Sequence, residues 1–212
     1  MREAHPPKTL SARLRHATAG IHARLEASPA TADTGLTLGD YTISLCRLHA
    51  VFAPIEAHLA AFSGWHEAGL DISAHRRLPD LQADLAALRV DAASLKRAEI
   101  EAPENFPAAV GMLYVLEGSA LGGRLILRAA EAQLGPAIAG ATAFYASPRP
   151  LPWPAFKSRL DAFGETFPAA QHLVATGALA AFTAFASATA GLQNHPNSLN
   201  LVPTPGIEPG TY

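Results

Sequence analysis

Leu116–Ile126, LEGSALGGRLI, lies inside a run that otherwise reads as one helix, yet it carries glycines at 118, 122 and 123. Each glycine inside a helix costs roughly 1 kcal/mol against alanine, so the three together cost about 3 kcal/mol. Gly118 and Gly122 stand four apart and so clear one helical face of side chains. Two explanations fit. A neighbouring helix packs closely on small residues, with Ser119 and Ala120 contributing; or the helix bends here and offers bare backbone to a flat ligand.

Working outward, nearly every other segment also has helical periodicity. A first helix is expected from about Thr9 to Ala27, with Leu10, Leu14, Ile21 and Leu25 on one side, stopped by Ser28 and Pro29. A second begins at Thr37, where TLGD reads as a capping box with Asp40 in the acidic position, and runs to about Phe62 with a bend at Pro54. LPDLQADLAALR gives a third, and a short helix is allowed over Ala92–Glu99. Asn105 caps the glycine-bearing helix, which should continue to about Gln133 before Gly135 and Pro136 end it. Helices over Pro154–Phe163 and Pro168–Leu192 complete the set. No stretch alternates with period two, so the expected class is all-α: one domain over residues 9–192, with a disordered tail over 193–212.

Composition narrows the function. With 212 residues, 49% apolar content and a formal net charge of −2, the chain lacks the basic excess of a non-specific nucleic-acid binder. Its one cysteine, Cys46, excludes an internal disulfide framework and a CxxC metal site. The first residues contain no apolar core of a secretory signal, which points to the cytoplasm. The uncharged segment Leu173–Leu192 is long enough to span a bilayer. Its bulky residues Leu179, Phe182, Phe185 and Leu192 recur near helical spacing, so it is read as a core helix and no membrane is expected.

Most of the nine histidines have no patterned neighbours; His66 and His75 fall in a polar connection, and no HExxH or repeated ExxH pair is present. His22 differs. Arg15, Thr18, His22 and Glu26 follow at intervals of three, four and four in LRHATAGIHARLE, forming one stripe of the first helix. Glu26 at i+4 can fix the imidazole tautomer, as metal-ligating histidines require. Arg15 lies two turns away, about 10.5 Å at 1.5 Å per residue, which suits a flat macrocycle with an acidic edge. The same spacing also describes an ordinary surface pair.

These two motifs together resemble those of the heme oxygenases, more closely their bacterial branch, including members paired with phytochromes. LRHATAGIHARLE is similar to the family's proximal-helix motif and YVLEGSALGGRLI to its distal-helix motif. FYASPRPLPWPAFKSRLDAF is similar to a later segment with a basic residue after Phe. The resemblance implies a helical bundle with heme between the first, proximal helix and a kinked distal helix. It implies His22 as the iron ligand with Glu26 orienting it. Arg15 and Lys157 would lie near the propionates, with Arg124 and Arg128 as weaker candidates. Gly118, Gly122 and Gly123 would line the distal face, and Phe182 and Phe185 part of the wall or plain core.

One departure stands out. Animal members carry an aspartate directly after the first distal glycine, whereas this chain has Ser119; Asp161, one turn after Lys157, also stands where some patterns have a basic residue. The implied activity is opening of heme to biliverdin, with release of CO and ferrous iron. Heme would be cofactor and substrate, with O2, a ferredoxin-type or other reductase as electron donor, and a bacteriophytochrome as possible acceptor protein. A heme carrier or sensor of the same fold is the alternative that Ser119 keeps open. A thiamin-degrading or quinone-synthesis relative would need an acid or thiol centre that Cys46 alone does not supply.

Overall fold

The computed structural model describes residues 8–26 and 35–191. Eight α-helices are present and no strand occurs among the described residues: α1 Leu10–Glu26, α2 Leu38–Ala60, α3 Leu78–Ala87, α4 Phe106–Ser119, α5 Gly123–Leu134, α6 Ala143–Ala146, α7 Trp153–Thr166 and α8 Gln171–Gly191. The all-α reading holds. The 193–212 tail lies outside the described residues.

Local capping sets several boundaries where the chain predicts them. Thr37 Oγ1 accepts the Asp40 amide at 3.1 Å and Asp40 Oδ2 accepts the Thr37 amide at 3.1 Å, a closed capping box for α2. Asn105 Oδ1 accepts the Ala108 amide at 3.0 Å and starts α4, with Pro107 in its first turn. Asp161 of α7 accepts the Ser11 amide at 2.7 Å and the Ser11 hydroxyl at 3.0 Å. That carboxylate satisfies an orphan donor at the positive end of α1 and ties α7 to it.

Elsewhere the structure corrects the expectation. The helix expected over Ala92–Glu99 is only a 3-10 turn, Ala92–Ser94. Asp91 caps it, and beyond it the Ala98 amide bonds the Ala50 carbonyl of α2 rather than a helical partner. The single helix expected from Asn105 to Gln133 ends at Ser119; Ala120–Gly122 form a tight turn before α5. The last helix starts at Gln171 after a 3-10 turn, Pro168–Ala170. The short α6 had no periodicity to reveal it; buried Asp84 of α3 holds it by accepting the Ala143 and Phe144 amides at 2.7 and 2.8 Å.

Helix α8 organises the bundle, packing most extensively on α4 and next on α1. Its buried side is not the bulky stripe expected. Val174, Gly177, Ala178 and Ala181 are buried, whereas Leu179, Phe182 and Phe185 are half-buried. Small residues are required because the α4 and α8 backbones touch. A Cβ at Gly177 would overlap the Ala108 carbonyl, and one at Gly111 would overlap the Val174 carbonyl. By composition alone, Phe106–Ile138 and Pro168–Ala188 are each apolar enough to cross a membrane; the packing of α4 on α8 is that of a helical core. Around it lie Leu45, Phe52, Ile55, Leu81, Leu85, Met112 and Phe156. Cys46 is buried among them, and burial pushes its thiol up to about 11.

Two stability measurements check this packing. Gly177→Ala should destabilise the protein by about 3 kcal/mol, because two backbones must separate. Gly20→Ala, where a Cβ meets nothing, should stabilise it by about 1 kcal/mol; thermal melts read both. Buried His49 has no hydrogen-bond partner on either ring nitrogen, and burial followed by the Arg97 charge lowers its pKa. Its contribution is therefore present above the unfolded value and lost as pH falls below it. His49→Leu should remove that loss, so its stability advantage over the wild type should widen as denaturant titrations move from pH 7 to pH 5.

Candidate functional site

The two motif-bearing helices, α1 and α4, both lean on α8. They meet through Tyr114 and Thr18. Thr18 is 3% exposed, its hydroxyl donates to the Leu14 carbonyl at 2.8 Å, and it also hydrogen-bonds Tyr114. Burial raises the Tyr114 pKa, against the Arg15 charge and the Thr18 bond. Arg15 itself is exposed. The α1 backbone stays helical through His22 and Glu26, so the stripe's register is kept; their side chains lie outside the described residues.

At 100° per residue, Tyr114 and Gly118 share one face of α4, with Leu113 and Leu116 on the opposite face. Trp153, at the start of α7, packs on Tyr114 at 5.6 Å between ring centroids and stacks on Phe156 at 5.6 Å. The three motif glycines then separate into different cases. A Cβ at Gly118 would meet only Trp153 Cη2, at an ordinary 3.8 Å, and a Cβ at Gly122 would meet nothing. Neither is needed for packing, and Gly122 has φ −76° and ψ −13°, which any residue adopts. Gly123 is buried, and its Cβ direction runs into Tyr145 at 3.2 Å, so protein packing accounts for that one. Beside Gly122, Leu121 is 50% exposed and Leu125 70% exposed, an apolar surface continuous with the bare turn.

Other sequence candidates are placed more loosely. Lys157 is half-buried on α7, which packs on α1. Arg124 and Arg128 are exposed on α5, whose packing partners include α6. The Ser119 hydroxyl donates to the Leu116 carbonyl at 2.7 Å, leaving its lone pairs toward solvent. Phe185 packs edge-on to Phe52 at 6.0 Å, while Phe182 is half-buried against the core. Asp161, which weakened the basic pattern after Lys157, is occupied with Ser11.

His75 lies in the connection between α2 and α3, as expected, but it is not a surface group. It is 4% exposed, and its Nδ1 hydrogen-bonds Glu117 Oε1 at 2.9 Å. Arg149 Nη2 reaches Glu117 Oε2 at 3.0 Å and also donates to the Glu117 main-chain carbonyl. Burial opposes charge on Glu117, yet His75 and Arg149 together hold its pKa below the ordinary carboxylate value. No local pattern could reveal this trio, because its members lie 42 and 32 residues apart. The only hint is a charged residue, Glu117, inside the apolar run before Gly118.

Among the described residues, no three His, Cys, Asp or Glu side chains gather as a metal cage. What the residues fit instead is a planar apolar disc with an acidic edge: an uncovered glycine turn, exposed leucines beside it, and cations on α1 and α7. Residues 8–190 match the heme oxygenase family model, and the chain belongs to the heme oxygenase family. A comparison with curated proteins found no match. Heme is thus the ligand class this fold takes.

Glu117 sets a measurable stability term. Glu117→Gln should cost about 3 kcal/mol at pH 7, since it breaks a buried charge cluster and leaves Arg149 uncompensated. Because the folded pKa is lowered, the contribution is present above the unfolded value and lost as pH falls through the folded one. The gap between wild type and variant in urea titrations should therefore narrow toward pH 4.

Proposed function

We propose that this protein is a cytoplasmic heme oxygenase that opens heme to biliverdin, CO and ferrous iron, drawing electrons from a ferredoxin-type or other reductase. A bacteriophytochrome is the partner that would take the product. The observation that carries this reading is the unexplained bareness of Gly118 and Gly122, which cost helix stability and which no protein contact requires. Family membership supplies the ligand that explains them.

In this reading His22 would supply the nitrogen that holds the heme iron, and Glu26, one turn on, would fix its tautomer. Arg15 and Lys157 clamp the two propionates by charge-assisted contacts, with Arg124 and Arg128 as outlying cations. Such a clamp would bind and orient the ligand through its acidic groups. Bound heme supplies the site of O2 activation and the carbon skeleton that is opened. The glycine turn contributes main chain and room for ordered water, and no acid or base stands on it. Ser119, with its hydroxyl proton committed to Leu116, can only accept a hydrogen bond there. Tyr114 is held protonated by burial and bonds Thr18, joining α4 to α1.

The committed Ser119 proton also favours a second reading, a heme carrier or sensor that binds without degrading. The two separate in a single-turnover reaction of hemin-loaded protein with ascorbate in air, with catalase removing free peroxide. Loss of the Soret band with biliverdin formed establishes the oxygenase. A stable complex, unchanged by ascorbate and by a ferredoxin-type donor, establishes the carrier. His22→Ala should abolish normal axial ligation in the heme spectrum, and an unchanged spectrum refutes its assignment. Gly118→Leu should block turnover with little loss of fold.

A further inference from the structure

Helix α4 stops at Ser119 although the three residues that follow, Ala120, Leu121 and Gly122, include no proline. Hydrogen bonds at the stop are specific. In a continuing helix the Glu117 carbonyl would accept the Leu121 amide, four residues on. Here Leu121 instead donates to Gly118 at 3.0 Å, one residue short, and Gly123 donates to Ala120 at 3.2 Å. The Glu117 carbonyl is taken by Arg149. The same guanidinium nitrogen also binds Glu117 Oε2, and Arg149 lies 5.5 Å from the centroid of Trp153, the ring facing Gly118. His75 holds the other carboxylate oxygen, so Glu117 cannot rotate away from Arg149.

We propose that Arg149 and His75 are positioning residues for the ligand site: by taking the Glu117 carbonyl and both carboxylate oxygens, they end α4 at Ser119 and create the turn that bares Gly118 and Gly122. This rests on the heme reading only for what the turn is used for. The device itself belongs to the bare protein. The turn's dihedrals are ones any residue adopts, so glycine does not make the bend; Arg149 makes it happen at this residue. A guanidinium suits the task because its planar fork reaches a carbonyl and a carboxylate together, which a lysine's single ammonium does not do equally well.

The experiment is Arg149→Gln in isotope-labelled protein without heme, read by backbone 13Cα shifts over residues 117–123. Wild type should show a break, with shifts reduced from full α-helical values at Ala120 and Gly122, where ψ is −10° and −13° against an α-helical value of about −42°. The variant should carry helical values through the break, as the Leu121 amide moves to the Glu117 carbonyl. A break of unchanged position and size in the variant overturns the inference. Should Arg149→Gln not fold, Arg149→Lys reads the same interval: a partial loss of the break supports the assignment and an unchanged one overturns it. His75→Gln, which retains a donor for Glu117, should keep the wild-type shifts, and His75→Leu should not. In hemin-loaded protein, Arg149→Lys should also change the ratio of biliverdin isomers, which a merely stabilising residue would leave alone. If wild type takes up no heme, the proposed function fails while the shift measurement still decides this one.

Discussion

The contact on which the bundle depends is main chain against main chain. Where α4 crosses α8, Gly111 and Gly177 lie against opposite carbonyls with no room for a methyl group on either side. Interiors packed this closely are not free to slide, so the crossing fixes where α4 lies along α8. Helix α1 is then placed from the same helix, and its first turn is secured to α7 through Asp161. The relative placement of the two motif-bearing helices is thus set by a third, on which both are seated.

Glu117 connects that scaffold to the glycine turn. It is a buried charge one residue before the first bare glycine, and every polar atom it brings into the interior is matched by His75, Arg149 or both. Buried ionic groups seldom stabilise a fold more than apolar ones would; their usual return is a single defined geometry. That suits a segment where a helix must stop at one residue. A cavity of about 190 Å3 is lined by Glu56, His75, Leu113 and Leu116, so of the trio His75 borders open space.

What could be read in advance follows the range of the interactions. Thr37 with Asp40, Asn105 with Ala108 and Gly135 after Leu134 act within a few residues, so those boundaries are visible in the chain. The break after Ser119 was anticipated as a kink but not as a full stop, because Arg149 reaches it from another segment. Gly111 and Gly177 went unremarked since a small residue in an Ala-rich helix looks like any other. Conversely, Gly123 was grouped with its neighbours, though Tyr145 explains it. The helix that carries Arg15, Thr18, His22 and Glu26 is legible from period alone. In α8 apolar size does not signal burial, because the tight crossing with α4 demands small residues.

Glycines without a packing reason make the turn after α4 the part of this protein that folding constrains least. An alanine at Gly122 meets no atom and strains no dihedral, so the apoprotein would gain from it. A laboratory selection for heat resistance alone would therefore erode that turn first and leave the core intact. Lineages retaining both glycines carry a record of selection by something other than stability, written at two positions that thermal fitness would have erased.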